Sequence, residues 1–437
     1  MSKRKQIKEE KEKVNKISDV KMAYIMYGKK VFIIPIVIAI ILGAIIWGIV
    51  YNTRKNNAPQ ETADNQKEQV NYIWGEIKPG KKNANNYTMV TSADGIQVPV
   101  PTGYTASSAS DENSVNGGFV IYEGTETVTD SNKWEAQCNR NQYVWIPIAE
   151  VSDMYWRDQT TGKKYGTRYT FKSSSYSKSS SNKQEPQTTS RDIQSTYLTK
   201  YLNGMSREDF LMEMEIDFDK MLNSVATYGG FYIGRYQTGD LSQATPVIKR
   251  INTDIASQTW YTMWKKARKL SGTSAGVQMI WGIQWDETLK WLIDTGEKTY
   301  AEIASDSTSW GNYYNNRFTY YTNTSKSTAT KAANSSTSTR IPSGAYEGAN
   351  ANNVYDLAGN VYDWTLESNG SGTGDYRYNR GGGFGAYGNS FPAASRNNNY
   401  PVYSSDWHRV TLQLIHQIAL PTKNQDLRLY VNQLNHH

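Results

Sequence analysis

Two carboxylates flank a Gly-Asn pair in Asp356-Leu-Ala-Gly-Asn-Val-Tyr-Asp363, and Trp364 follows at once. Backbone carbonyls of such a turn can converge with the carboxylates on one hard cation, and calcium prefers that mixture of oxygens. The same residues would also make a turn closed by Asx hydrogen bonds, with Trp364 packed beneath it. A glycine-rich corner, Arg380-Gly-Gly-Gly383, follows about sixteen residues after Trp364. Elsewhere the chain offers little for chemistry. It has neither a His-Glu-x-x-His helix nor a phosphate loop. Its histidines are His408, His416, His436 and His437, and Cys138 is its one cysteine. An intrachain disulfide, a cysteine zinc site and a multi-histidine metal centre are therefore not expected. Asp240, Asp286, Glu287 and Glu367 are scattered and read as solvated surface charge.

Four further segments accompany the turn: Gly230-Phe-Tyr-Ile-Gly-Arg-Tyr-Gln-Thr-Gly239, Thr259-Trp-Tyr-Thr-Met-Trp-Lys-Lys-Ala267, Gln284-Trp-Asp-Glu-Thr-Leu-Lys-Trp291 and Ser309-Trp-Gly-Asn312. With Asn353–Trp364 and the glycine corner, they resemble the formylglycine-generating enzyme (sulfatase-modifying factor) family. The resemblance covers roughly residues 95–412 and is strongest over 353–396. It implies a variant of the C-type lectin fold. It also implies a calcium ion held by the side chains of Asp356 and Asp363 and the carbonyls of Gly359 and Val361. The family has Asn and Glu where this chain has Asp356 and Asp363, and it closes on Gly-Phe-Arg where this chain has Trp407-His-Arg409. Its enzymes hold copper between two cysteines, whose places fall at about Ala386 and Phe391. The resemblance therefore implies no copper and no oxidase chemistry of that kind. Iron-dependent relatives rely on a histidine cluster that this chain also lacks.

Between Gly383 and Trp407 the chain reads FGAYGNSFPAASRNNNYPVYSSDW. In the family's fold the corresponding loops line the ligand face. Tyr, Asn, Ser and Gly together supply rigid aromatic area and adaptable hydrogen bonds, the mixture that antibody loops use. The candidate contacts are Tyr387, Asn389, Asn397, Asn398, Asn399, Tyr400 and Tyr403. Phe384 and Phe391 are expected inside, with Arg380 and Arg396 bracing the loops. The segment also resembles the variable region of diversity-generating retroelement target proteins, which share this fold.

These residues need a scaffold. Ile96–Pro101, Gly118–Tyr122, Gln142–Pro147 and Phe231–Tyr236 carry the aromatic and β-branched pattern of strands. Ser206 and Asp209 open a helix whose apolar residues Phe210, Met214, Phe218, Met221, Leu222 and Val225 recur at helical spacing until Gly229. Two more helices are expected, over 260–270 and 286–293. Residues 157–200 and 313–339 are rich in Ser, Thr, Asn and Lys and read as an insertion and a long loop. The class is α+β, with one domain at 91–415 and an unassigned tail at 416–437.

Ahead of that domain, residues 31–51 form an uncharged run of 21, long enough to span a bilayer as a helix. Residues 1–30 carry ten Lys/Arg against four acids and account for six of the net +7 charges. The positive-inside rule places this tail in the cytoplasm and the domain outside the cell membrane. The rest of the chain is close to neutral, so its basic pI is no argument for nucleic-acid binding. Residues 52–90 read as a stalk. The expected protein is a single-pass membrane protein that displays a catalytically silent binding domain to a protein or carbohydrate ligand. Two other classes fit the sequence: an enzyme or maturation factor for exported proteins, and a structural envelope module.

Overall fold

The computed structural model describes residues 86–187, 193–240, 246–252, 258–268, 275–335, 339–370, 375–402, 408–410 and 412–416, the last two stretches as backbone. The chain divides into two units, Met1–Tyr72 and Ile73–His437. The first unit, with the expected membrane span, lies outside the described residues, as do Tyr403 and the tail from 417. No helix among the described residues is long and apolar enough to cross a membrane.

The second unit is α+β. Its large antiparallel sheet runs in the order Ala275–Met279, Leu412–His416, Gly230–Gly234, Gln142–Pro147, Val120–Glu123, Tyr104–Ala106. The central strands are apolar on both faces, and Val120, Ile121, Val144, Ile146, Phe231 and Ile233 are all buried. Helix α3 (Arg207–Tyr228) packs on this sheet; α1 and α2 are the short helices Lys133–Asn139 and Ser195–Tyr201. The α3 start is set by Ser206, whose hydroxyl accepts from the Asp209 N–H at 3.0 Å, and its end by Gly229 at φ 83°. Its six periodic apolar residues are buried, each stabilising the fold by roughly 1.5–3 kcal/mol.

Helix α4 (Trp260–Ala267) is capped by Thr259. Helix α5 (Gly282–Asp294) begins four residues earlier than its periodicity suggests. The Glu185 carboxylate, from a distant segment, accepts from the Gly282 N–H at 2.5 Å and the Ile283 N–H at 3.1 Å and so defines that first turn. Helix α6 is Tyr300–Ala304. A smaller sheet carries the site. Its order is Asn397–Asn399, Arg377–Arg380, Tyr362–Ser368, His408–Val410, with only the last pair parallel.

Two regions expected as loops are built. Residues 157–187 form parts of two hairpins, Tyr155–Arg157 with Lys164–Gly166 and Arg168–Lys172 with Ser175–Ser179. Phe318–Tyr321 pairs with Thr328–Lys331 in the second region. In both, a few aromatic side chains supply the apolar anchor. Tyr169 is fully buried and stacks on Tyr176 at 5.2 Å, while the intervening Ser and Lys face water. A pattern that sparse is hidden by the polar residues around it.

Candidate functional site

The 353–364 turn is assembled from residues that tolerate left-handed backbone. Asn352 and Asn353, at φ 44° and 66°, form the two-residue loop between Asn350–Ala351 and Val354–Tyr355. Asp356, Gly359 and Asn360 follow at φ 59°, 73° and 58°. Glycine is required at 359, because a Cβ there would lie 2.5 Å from the Asn312 carbonyl oxygen.

Every segment that carried the family resemblance meets this turn, the strand leading from it or the glycine corner. The Gly359 N–H donates to the Gly381 carbonyl at 2.6 Å, and the Asn360 N–H to the Asn312 carbonyl at 2.9 Å. Arg235 donates to the Asn353 side chain at 2.7 Å. Trp285 of α5 lies against Gly381. The Trp260 indole donates to the Thr365 carbonyl at 2.8 Å.

At the centre, three side-chain amides form a chain whose orientation is fixed by backbone groups. The Asn312 amide nitrogen donates to the Thr339 carbonyl at 3.1 Å and to Asn360 Oδ1 at 3.0 Å. The Ile341 N–H, which can only donate, also points at Asn360 Oδ1 at 3.0 Å. Asn360 Nδ2 therefore faces outward to the Ile341 carbonyl at 3.3 Å and to Gln237 Oε1 at 3.0 Å. This leaves Gln237 Nε2 aimed at three oxygens: the Val361 carbonyl at 2.6 Å, Asp363 Oδ2 at 2.7 Å and the Asp356 carbonyl at 3.4 Å.

Of the four residues expected to hold calcium, Val361 and Asp363 thus present oxygens to one point, and Asp356 adds its backbone carbonyl. One oxygen of the Asp356 carboxylate, Oδ2, is engaged elsewhere, accepting from the Gly344 N–H at 2.8 Å and the Ser343 hydroxyl at 3.1 Å. Gly359 serves the turn through its N–H. The point on which the oxygens converge holds an amide N–H₂ group. Calcium takes six to eight oxygens, and turning the Gln237 amide to offer its oxygen would set two donors, Gln237 Nε2 and Asn360 Nδ2, against each other. In this arrangement the residues do not fit a calcium ion.

Ala386 and Phe391, the expected places of the two cysteines, are buried and half-buried. The Tyr313 hydroxyl lies 2.7 Å from the Gly381 carbonyl and 2.9 Å from that of Phe391, tying the glycine corner to the loop. Gly382 lies at φ 76°, and a Cβ on it would lie 2.4 Å from the Phe391 carbonyl oxygen. Gly272-Thr-Ser-Ala-Gly276 has the spacing of a nucleophile elbow, which requires a strand followed by a helix. Here Ala275 and Gly276 of the string open a strand that follows α4 in the chain, the reverse order, and Gly272, Thr273 and Ser274 lie outside the described residues.

The acids read as solvated charge are largely a buried network. Asp286, Glu367 and Glu287 are 0, 1 and 7% exposed. Asp286 pairs with Arg380 at 2.9 Å and with Arg396. Glu367 pairs with Arg168 at 2.5 Å and Arg396 at 3.1 Å. Burial alone would raise the Glu367 carboxyl, but Arg396, Arg168 and Arg380 outweigh it and hold it below the usual range. Burial, with Glu367 and Asp286 close by, pushes Glu185 well above it. Arg380 is pushed down to about 10 by burial and by Arg396, against the pull of Asp286 and Glu367. The arginines brace the loop as expected: Arg380 donates to the carbonyls of Ser395 at 2.9 Å and Ala394 at 3.2 Å, and Arg396 to that of Tyr169 at 2.8 Å.

Among the described residues, the expected contact residues are half-buried to exposed. Tyr387 is 47% and Tyr400 39% exposed; Asn389 and Asn398 are exposed, and Asn397 and Asn399 half-buried. They fall in two groups. Tyr387 packs on Tyr314 at 5.3 Å, while Tyr400 packs on Tyr376 at 4.2 Å beside the edge strand Asn397–Asn399. Phe384 and Phe391 are half-buried. Gln237, Asn312, Glu185 and Arg168 were not expected at the site; each is a polar residue whose partners lie far along the chain.

No family model matches the chain, and no curated protein matches it. Two of the solved structures that overlap with it are CarF and PvdO. The crystal structure of CarF is 14% identical over 43% of this chain and 87% of its own, with a TM-score of 0.27. The structure of PvdO from Pseudomonas aeruginosa is 18% identical over 43% of this chain and 81% of its own, with a TM-score of 0.29. Overlaps this slight carry no argument about fold or activity.

Proposed function

We propose that residues 91–415 form a catalytically silent domain of the formylglycine-generating-enzyme type, with a C-type lectin-like fold, that captures a protein or glycan ligand. The membrane run at 31–51 would display it at the cell surface. The observation that carries the reading is the construction of the 384–402 loop. Exposed Tyr387, Asn389, Asn398 and Tyr400 sit on a segment clamped from beneath by Arg380 and Arg396 to Asp286 and Glu367. Aromatic side chains held on a rigid base lose little entropy on binding. The mutual packing of the six sequence-distant segments, the 353–364 turn among them, supports the family assignment. The single cysteine, distant in sequence from Ala386 and Phe391, supports the silent chemistry.

The test is to pass the full-length protein over an array of glycans and surface-protein peptides, with Tyr387→Ala/Tyr400→Ala in parallel. Array ligands are then titrated calorimetrically and recovered for mass analysis. Stoichiometric binding, ligand returned unchanged, and a loss of about 30-fold in the double variant are expected, since a central aromatic anchor contributes roughly 2 kcal/mol. A chemically altered ligand, or equal binding by the variant, would overturn the reading.

A further inference from the structure

We infer that the Gln237 carboxamide is a built-in substitute for a cation, closing the 356–363 turn without metal. The inference rests on the three-amide chain, whose two ends are anchored by groups of fixed hydrogen-bonding sense. At one end the Thr339 carbonyl can only accept and the Ile341 N–H can only donate, so Asn312 and Asn360 each have one possible orientation. At the other end the Val361 and Asp356 carbonyls can only accept, so the group facing them must donate. Gln237 satisfies both ends at once, with its oxygen on Asn360 and its nitrogen on the oxygen ring.

The position of residue 237 is itself enforced from the same turn. It lies three residues beyond the strand Gly230–Gly234, and the two residues before it are both tied to the turn. The Tyr355 N–H donates to the Arg235 carbonyl at 2.9 Å, and Arg235 reaches Asn353 at 2.7 Å. The Tyr236 ring packs on Tyr355 at 5.1 Å. Gln237 is 2%, Asn360 0% and Asp363 0% exposed, so no water layer separates these groups. A cation at the same point would have to displace Nε2, leaving a buried donor unmade.

The side chain's chemistry makes a sharp contrast available. Glutamate has the same shape as glutamine but would turn an oxygen, not an N–H, toward the Asp356 and Val361 carbonyls and the Asp363 carboxylate. Four oxygens facing one point repel unless a cation sits among them. Gln237→Glu should therefore exchange a metal-independent turn for a calcium-dependent one.

The experiment is thermal melting of the full-length protein in chelator and in excess calcium chloride, beside Gln237→Glu prepared with calcium present throughout. Wild type is expected to melt at the same temperature in both, with no calcium heat by calorimetry. Gln237→Glu is expected to melt several degrees lower in chelator and to recover with calcium, because a ligand bound only by the folded state stabilises it by mass action. A wild-type melting temperature that falls in chelator and rises with calcium would overturn the inference without touching the proposed ligand face. So would a Gln237→Glu variant as stable as wild type in chelator. The wild-type arm stands even where the variant folds poorly.

Discussion

Replacing Asp286 by Ala should unfold this protein far more readily than its sequence neighbourhood suggests. The carboxylate is fully buried at the inner face of α5. One oxygen takes Arg380 at 2.9 Å; the other takes the Tyr169 N–H at 2.9 Å and Arg396. Alanine would leave three donors without that acceptor, two of them on guanidinium groups, and burial already depresses Arg380 to about 10 with Asp286 still in place. Removing one partner of a buried pair costs about 3–5 kcal/mol, whereas a solvated surface acid changes stability by about 0.5 kcal/mol or less. The two descriptions of Asp286 thus differ by several-fold. Asp286→Asn, which keeps an acceptor for Tyr169 but loses the charge, should fall between wild type and Asp286→Ala. Pairing Asp286→Ala with Arg380→Met should cost less than the two single changes together, because the stranded cation is removed as well. Urea unfolding followed through the 13 tryptophans measures wild type and the four variants. A loss within about 0.5 kcal/mol for Asp286→Ala would refute the buried network and return this acid to the surface.

Three further outcomes follow from the same geometry. Gly382→Ala should destabilise by roughly 1–3 kcal/mol or more and loosen the 384–391 loop, read by amide exchange, because its φ of 76° is left-handed and its Cβ would meet the Phe391 carbonyl. Glu287 makes stability fall with pH: burial pushes its carboxyl up to about 7, so between the ordinary 4.5 and 7 the unfolded chain releases the proton that the folded one keeps. The loss across that window is on the order of 3 kcal/mol; melting curves from pH 4 to 8 (roughly the span that brackets both values) should show it, and Glu287→Gln should flatten that slope. Tyr387→Ala and Tyr400→Ala should each leave the melting temperature nearly unchanged, since both rings are substantially exposed, while array binding drops.

What could be read from sequence was local. The strand Gln142–Pro147 and the Ser206 cap are found where the residues place them, because a strand's side-chain composition and a cap's hydroxyl act on their own neighbours. The α5 start could not be read, since the Glu185 carboxylate that caps it belongs to a segment 97 residues earlier. The buried acids were misread for the same reason: Arg168 and Glu367 are 199 residues apart, and Arg380 and Asp286 are 94. Nothing beside Glu367 in the chain announces its partners. The 353–364 turn was legible as a feature because its left-handed positions are filled by Asn353, Asp356, Gly359 and Asn360 within eight residues. What fills it was not, because Gln237 is a single amide at the end of an apolar strand more than a hundred residues away.

The most direct measurement is amide hydrogen exchange on the full-length protein, with and without a glycan or peptide selected on the array. Ligand-dependent protection confined to 384–402 and the adjoining 308–316 is the predicted result. Protection centred elsewhere, for example on the hairpin of Phe318–Tyr321 and Thr328–Lys331, would contradict the claim that the clamped Tyr/Asn loop is the ligand face.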